Sequence, residues 1–178
     1  EALTLKGAIF AHGRQMGKTL ILPVRWNLAT AKPVLGTNPT EKLLTNGIRG
    51  SLKYSDFEWC SWADNDSVSF TIDLLKLEML NTLILGCITN NGMAIHKPAS
   101  VRVEVSDDNS KFREAVVQSF TSEEIFREGN FIENLSLKLG GTQARYVRVT
   151  AKGPGVCPAS HVRPGQTSRI FFDEVMLE

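Results

Sequence analysis

The stretch Asp56–Trp62 places aromatic rings beside carboxylates, which is a combination suited to binding a sugar. A pyranose ring packs its C–H face against a flat aromatic ring, and its hydroxyl groups need polar partners at fixed positions. Trp59 and Trp62 are the candidate rings. A domain of this size often buries one tryptophan, so we expect at least one of the two to be exposed, without assigning which. The polar candidates for the same site, each of which could also be an ordinary surface residue, are Arg49, Asp56, His96 and Arg169.

Catalysis on a sugar makes a different demand, which the sequence does not meet. Glycoside hydrolysis needs two carboxyl groups about 5–9.5 Å apart, one on each side of the scissile bond. The acidic residues fall instead in turns, such as Asp107 and Asp108, or on the polar faces of strands, such as Asp73 and Glu104. The sequence also contains no Gly-x-Ser-x-Gly motif and no glycine-rich phosphate loop. We therefore predict that this chain is not itself an enzyme.

Composition excludes several classes of partner. The chain has 20 basic and 19 acidic residues and a net charge of +1, which gives no electrostatic basis for binding nucleic acid or an anionic membrane. No apolar run approaches the roughly 18 residues needed for membrane insertion. The chain starts at Glu1 without a basic leader, so we expect it to be cut from a longer protein whose targeting signal lies upstream. Cys60, Cys87 and Cys157 match no zinc-ligand spacing, and we expect buried thiols while leaving one disulfide open.

Hydrophobic residues alternate with polar ones along most of the chain. Strict alternation is typical of strands with one buried and one wet face, which occur in antiparallel sheets. The pattern predicts an all-β antiparallel sandwich whose core includes Val101, Val103, Val105, Val147 and Val149. Thr121–Glu128 is the best candidate for a helix, and it could also be a loop. The predicted strands are Ser67–Leu74, Thr82–Thr89, Ser100–Ser106, Phe112–Val117, Asn134–Leu139 and Arg145–Ala151.

The N-terminal segment is predicted to be a separate β-hairpin. Residues Ala2–Ala11 and Thr19–Trp26 are the two strands, around a turn at His12–Lys18. A lone hairpin is marginally stable, so we place a domain boundary near residue 27 and interpret residues 1–26 as the last hairpin of a preceding small β domain. We expect its apolar face to rest on the sandwich of residues 27–178 or on another copy of the chain. The side chains that need cover are Leu3, Leu5, Ile9, Leu20 and Leu22.

Six motifs in order resemble those of discoidin-like domains, the group that contains coagulation factor type C domains and carbohydrate-binding module family 32. This resemblance implies a galactose-binding-like β-sandwich. The motifs are Asn27–Val34 (NLATAKPV), Leu43–Ser51 (LLTNGIRGS), Phe70–Leu74 (FTIDL), Val103–Phe112 (VEVSDDNSKF), Ala144–Val149 (ARYVRV) and Ile170–Val175 (IFFDEV).

A narrower resemblance concerns the first two motifs and a late run in which Cys157-Pro158 and His161 precede the final strand. This set is similar to the C-terminal module of bacterial glycoside hydrolase family 20 β-N-acetylhexosaminidases. It implies a non-catalytic, weakly glycan-binding accessory module of a secreted hydrolase, in contact with the catalytic domain of the parent enzyme and located outside the cell or in the periplasm. One alternative is an architectural domain that packs on the catalytic barrel without a ligand. Another is an adhesion domain that binds proteins or cell surfaces.

The same resemblance implies a structural calcium ion. The matching ligand positions are Leu43 or Leu44 through a carbonyl group, Asn46 through its side chain, Ser51 through its carbonyl and hydroxyl groups, and Glu174 on the last strand. Asn46 replaces the family's aspartate and removes one charge, and the alternative is a metal-free loop held by Asn46 hydrogen bonds. The loop Arg163–Arg169 lacks the aromatic residue that many sugar-binding members carry, so we expect sugar affinity near the millimolar level.

Overall fold

The computed structural model describes residues 2–62 and 67–178, without the side chains at positions 2, 3, 5 and 22–25. Two short 3-10 helices, Glu41–Thr45 and Asn91–Met93, and one α-helix, α1 (Ser122–Ile125), connect the strands. No helix in the described ranges is long and apolar enough to cross a membrane. The strands are β1 (Ala2–Ala11), β2 (Arg14–Arg25), β3 (Val34–Leu35), β4 (Cys60–Trp62), β5 (Ser67–Asn90), β6 (Ser100–Ser106), β7 (Arg113–Ser119), β8 (Asn130–Lys152) and β9 (Ile170–Leu177).

The sandwich is built around two long antiparallel strands, β5 and β8, that contribute to both of its layers. The first part of β5 pairs with the last part of β8, from Ser67↔Lys152 to Asp73↔Tyr146. The second part of β5 pairs with the first part of β8, from Thr82↔Lys138 to Asn90↔Asn130. One layer is ordered β3-β5-β8-β6-β7 and the other β8-β5-β9-β4. The result is the predicted galactose-binding-like antiparallel sandwich.

The bend in β5 and β8 explains one difference from the sequence prediction. The pattern predicts one strand before and one after residues 75–81, and likewise around Gly140-Gly141, whereas each of these pairs is one continuous strand in the structure. The register between β5 and β8 shifts between Asp73 and Glu78, and Leu75, Gly140 and Gly141 all have positive φ. These local irregularities turn the strands from one layer to the other without ending them.

The core confirms the predicted alternation. Val101, Val103, Val105, Val147 and Val149 are all fully buried. They belong to one cluster together with the inward-facing residues of the other strands, among them Phe70, Leu85, Leu137 and Phe172. The first and last residues of the sandwich segment lie side by side, because the Leu28 N–H donates to the Leu177 carbonyl oxygen at 3.1 Å.

The helix and the cysteines follow the predictions in part. Helix α1 spans a single turn, shorter than the range Thr121–Glu128. Its N-terminus has a capping box: the Thr121 hydroxyl accepts the Glu124 N–H, and the Glu124 carboxylate accepts the Thr121 N–H. All three cysteines are buried and none forms a disulfide.

Strands β1 and β2 form a separate two-stranded sheet, as predicted. The turn is tighter than expected, because only His12 and Gly13, both with positive φ, lie between the strands. Ile9 and Leu20 are 73% and 64% exposed, so the sandwich does not cover them, and the alternative that another copy of the chain covers them stays a prediction. The side chains of Leu3, Leu5 and Leu22 lie outside the described residues. Phe10, Met16 and Ile21 are exposed as well.

Candidate functional site

The loop that follows the first 3-10 helix is fixed to the last strand by an ion pair. Arg49 Nε donates to Asp173 Oδ2 at 2.6 Å, and Arg49 Nη2 donates to Asn134 Oδ1 at 2.8 Å. Asp173 is fully buried and also accepts the backbone N–H groups of Gly50 at 2.9 Å and Glu174 at 2.7 Å. Arg49 therefore connects the loop to β8 and β9, and this structural task uses two of the five N–H donors of its guanidinium group.

Gly86 on β5 makes room for this ion pair. A Cβ atom at that position would overlap the Asp173 carboxylate and the Arg49 guanidinium group. The Arg49 side chain thus lies directly against the β5 backbone, with only 23% of its surface exposed. Arg49, predicted as a sugar-binding residue, keeps only part of its guanidinium group accessible.

Neither predicted tryptophan offers a face to a ligand, so the expectation that one is exposed is wrong. Trp59 is 5% exposed, and its indole N–H donates to the Ser51 carbonyl oxygen at 3.0 Å. Trp62 is 7% exposed and stacks on Phe70 with ring centroids 6.2 Å apart. The alternation of the short strand β4 turns Trp62 inward. Trp59 fills a second apolar cluster with Ile88, Ile95 and Phe171.

The exposed ring of this stretch is Phe57, which the sequence analysis missed. Its surface is 91% exposed, the largest fraction among the large hydrophobic residues recorded as exposed. Asp56, predicted as a sugar ligand, accepts the backbone N–H groups of Ser51 at 3.0 Å and Glu58 at 3.1 Å. This Asx-type turn leaves Phe57 at its tip. An Asp two residues before Glu58 in a non-alternating stretch is the sequence pattern that could have located the turn.

Arg169 and the same loop meet at Phe171. The Arg169 guanidinium carbon lies 5.6 Å from the Phe171 ring centroid, and the Tyr54 ring packs edge-on against Phe171 at 6.2 Å. Arg169 Nη2 also donates to the Met93 carbonyl oxygen at 3.2 Å. The structure therefore brings Arg169 next to the loop that carries Asp56 and Phe57, and leaves it half-buried.

His96 is placed differently from the other predicted sugar ligands. Its backbone N–H donates to the Arg169 carbonyl oxygen at 3.1 Å, but its ring is fully buried and packs against Phe126 and His161. Burial, with a smaller contribution from the neighbouring His161, lowers the pKa of His96 to about 4. The ring is thus a neutral, buried imidazole that a sugar on the surface does not reach.

Of the predicted calcium ligands, Glu174 is the one whose side chain is best placed to bind a cation. Glu174 is buried; its Oε2 accepts the Gly47 N–H at 3.0 Å, whereas its Oε1 makes no hydrogen bond of normal geometry within the described residues, although the Asn27 side chain lies near enough to the carboxyl group to lower its pKa. Burial, with a smaller contribution from the nearby Asp173, raises the pKa of Glu174 to about 8. A buried carboxylate oxygen without a partner fits a bound cation.

The other predicted calcium ligands are engaged within the loop. Asn46 Oδ1 accepts the Ile48 N–H at 2.8 Å, and Asn46 Nδ2 donates to Glu58 Oε2 at 2.9 Å. The Ser51 carbonyl oxygen accepts the Trp59 indole, and Leu44 is buried. The fit to a cation therefore depends mainly on Glu174. Asn46 lies close to it in the chain path, because the next residue, Gly47, donates its N–H to Glu174.

Comparisons with known proteins agree with the fold. The sequence model of the F5/8 type C domain matches residues 29–162. A search of curated proteins found no match. Among solved structures, the chain is similar to CpGH89CBM32-6 produced by Clostridium perfringens, with 18% identity and a TM-score of 0.55 over 86% of this chain and 98% of that one.

Two further solved structures share the fold. One is a Streptococcus pneumoniae fucose binding module, SpX-3, with 18% identity and a TM-score of 0.51 over 86% of this chain and 98% of that one. The other is the lectin domain of Lectinolysin complexed with Lewis B antigen, with 15% identity and a TM-score of 0.54 over 86% of this chain and 96% of that one.

Proposed function

Because this chain belongs to the F5/8 type C domain family, we propose that it is a non-catalytic module that binds carbohydrate weakly on the loop carrying Phe57. The solved structures of similar fold include modules described as binding fucose or holding Lewis B antigen, which supports a glycan as the ligand. The observation that carries the proposal is the Phe57 ring, 91% exposed on a loop held by hydrogen bonds.

The loop is rigid enough to present that ring. Asp56 fixes the turn on one side of Phe57, and Trp59 anchors the other side through its buried indole. An apolar ring on a fixed loop provides a stacking surface without an ordering cost on binding. Carboxylate oxygens of Asp56 and Glu58, both half-buried, are the nearest polar groups in the sequence that could accept sugar hydroxyls.

We expect titration with galactose- and N-acetylhexosamine-type sugars to give millimolar dissociation constants, about −4 kcal/mol, because only one ring and few polar groups are available. Replacing Phe57 with Ala is expected to weaken binding roughly tenfold, since it removes the stacking contact. Amide NMR shifts of residues near Phe57 measure both affinity and location, after a glycan array has selected the tightest sugar.

Phe10→Ala is the matched control, because Phe10 is also an exposed ring, 64% accessible, but lies on the hairpin. It is expected to leave sugar affinity unchanged. Shifts that map elsewhere, or equal affinity in Phe57→Ala and the parent chain, would reject this site. Flat titrations to tens of millimolar would reject glycan binding itself.

The parent protein is the next part of the proposal. The similarity of Asn27–Val34, Leu43–Ser51 and the run that begins at Cys157 to β-N-acetylhexosaminidase modules supports a secreted enzyme of that class, outside the cell or in the periplasm. In that setting a weak module acts by keeping the catalytic domain near its glycan substrate, because tethering raises the effective concentration.

The second candidate function is architectural, with the module serving to support the catalytic domain. The exposed side chains of Ile9 and Met16, which pair across β1 and β2, and of Leu20 beside them favour it, because an apolar surface of this kind needs a partner. We propose that residues 1–26 complete a preceding β domain and that the sandwich begins near residue 27. Sugar titrations that stay flat would favour this function over the first.

Calcium is a third element of the proposal. The residues that would hold the ion are Glu174 and Asn46 through their side chains and Leu44 and Ser51 through backbone oxygens. The ion would connect the loop to β9, because Glu174 lies on that strand. We expect calcium at about 100 times its dissociation constant to raise the melting temperature by roughly 5–10 °C over the value in EDTA. Glu174→Gln is expected to abolish this difference, which differential scanning calorimetry measures.

Glu114→Gln provides the control for calcium, because Glu114 is 55% exposed on β7 and far in sequence from the loop. It should retain the full calcium-dependent shift. Identical melting temperatures of the parent chain in calcium and in EDTA would instead support a metal-free loop held by Asn46 hydrogen bonds.

A further inference from the structure

Three side chains with metal-binding chemistry converge at one point of the structure. Cys157 and His161 lie four residues apart in the loop between β8 and β9, and His96 lies between β5 and β6. Counting one imidazole nitrogen from each histidine and the thiol sulfur, the three atoms lie within 4.8 Å of one another, and all three side chains are buried. Imidazole and thiolate are the groups that bind zinc in proteins.

Three of the four ring nitrogens in this cluster lack a hydrogen bond of normal geometry. His96 is fully buried, and neither of its ring nitrogens makes such a bond in residues 2–62 and 67–178, although the backbone of Ile125 lies near enough to oppose the lowering of its pKa. His161 is 8% exposed, and its Nε2 also has none there. Buried polar nitrogens are normally paired, because leaving them without a partner costs free energy. A bound ion would satisfy both rings at once.

The loop already holds these ligands close together. The Cys157 N–H donates to the Gln166 carbonyl at 2.9 Å, and the Gly165 N–H donates to the Cys157 carbonyl at 3.0 Å. Arg163 Nε donates to the Gly92 carbonyl, which fixes the loop to the 3-10 helix that precedes His96. The Ser168 hydroxyl lies 3.3 Å from Cys157 Sγ, where it can donate a hydrogen bond to a thiolate.

From this arrangement we propose that His96, Cys157 and His161 form a zinc-binding site with water as the fourth ligand. Tetrahedral zinc requires separations of about 3.3–3.6 Å between these ligand atoms, so small rotations of the side chains complete the site. A calcium ion is disfavoured, because it prefers oxygen ligands and the cluster offers nitrogen and sulfur. The site goes beyond the proposed glycan function and does not depend on it.

The protonation states favour binding. Burial keeps His96 neutral at physiological pH, with its pKa lowered to about 4. Coordination by Cys157 uses the thiolate form of its sulfur, so the thiol proton leaves when zinc binds. His161 Nδ1 accepts the Arg163 N–H at 3.0 Å. Zinc bound at Nδ1 would displace this hydrogen bond, and zinc bound at Nε2 would leave the ring proton on Nδ1, which then could not accept. In both cases one hydrogen bond is replaced by a metal–ligand bond.

The ion would join two segments that form one end of the sandwich. Phe126, at the end of α1, packs on both imidazole rings at 5.1 and 6.1 Å and covers the cluster. The loop runs on from the cluster to Arg169, which contacts Phe171 beside the candidate sugar site. Because all three ligands are buried and Phe126 packs on both rings, zinc is expected to hold the two segments together rather than to act on a substrate.

The test uses the full 178-residue chain without an affinity tag, reduced and stripped of metal with a chelator. Titration of zinc against a chromophoric chelator is expected to show one tight site per chain. Saturation with zinc should raise the melting temperature by roughly 5–10 °C. Cobalt bound in place of zinc should give a thiolate-to-cobalt charge-transfer band, which identifies a cysteine ligand.

Cys157→Ser and His161→Gln are each expected to lower zinc affinity by at least about a hundredfold and to remove the thermal shift. Cys60→Ser is the matched control, because that thiol is also buried but lies outside the cluster. It forms a hydrogen bond with the Thr40 hydroxyl at 3.2 Å. Absence of a tight zinc site in the parent chain, a cobalt complex without the thiolate band, or unchanged affinity in Cys157→Ser would each overturn the proposal.

Discussion

Val103→Asp is expected to abolish soluble expression. Val103 is fully buried on β6, pairs with Val149 on β8 and Val116 on β7, and belongs to the main core cluster. The substitution loses about 1.5–3 kcal/mol of apolar burial and adds the cost of an unpaired buried carboxylate, which is several kcal/mol. Together these approach the 5–15 kcal/mol by which a typical domain is stable. The fraction of protein in the supernatant after lysis measures the effect.

Val117→Asp is the matched control, because it lies on the neighbouring edge strand β7 and is 43% exposed. We expect it to remain soluble and to melt within about 2–4 °C of the parent chain, since a carboxylate there stays hydrated. Soluble, cooperatively folded Val103→Asp protein would mean that β6 does not face the core as the structure has it.

Asp173→Ala is expected to lower stability by about 3 kcal/mol, or roughly 6–12 °C in melting temperature. The change removes the fully buried carboxylate that accepts Arg49 Nε and the Gly50 N–H, so a partly buried guanidinium group loses its counter-ion. Chemical denaturation followed by tryptophan fluorescence gives the free energy of unfolding, and Trp59 reports on the loop directly. Arg49→Met in the same chain should recover part of the loss.

The Asp73–Arg145 pair supplies the comparison. Its two hydrogen bonds, 2.8 and 2.9 Å long, resemble those of Arg49, but the Arg145 side chain is 37% exposed. Solvent screening reduces the value of such a pair, so Asp73→Ala is expected to cost about 1 kcal/mol or less. Equal losses for the two substitutions would show that burial of Asp173 does not determine its contribution.

The fold was readable from the sequence because its cause is local. Alternation assigns each residue to a face, and the five predicted valines are buried for that reason. The same rule failed at Leu75 and Gly140, where positive φ turns a strand without breaking it. A pattern of residue types carries no information on whether a strand bends or ends at such a point.

The candidate site was less predictable, because exposure is decided by contacts that are distant in sequence. Trp59 is buried because Ile95 and Phe171 pack against it, and no local sequence pattern predicts that contact. Phe57 is exposed because Asp56 closes a turn before it. The convergence of His96 on Cys157 and His161 likewise depends on how two loops meet, which their separate positions in the chain do not show.

The sharing of β5 and β8 between both layers also has a consequence for how the chain folds. Pairing Val68 with Ala151 joins two points of the chain that are separated by most of the domain's residues. Neither layer can be completed until such distant segments have paired. The loop-closure entropy must be paid before these contacts contribute, and β-rich domains of this kind fold in milliseconds to seconds. During that interval the separately paired hairpin β1–β2, whose contacts are local, can already be formed.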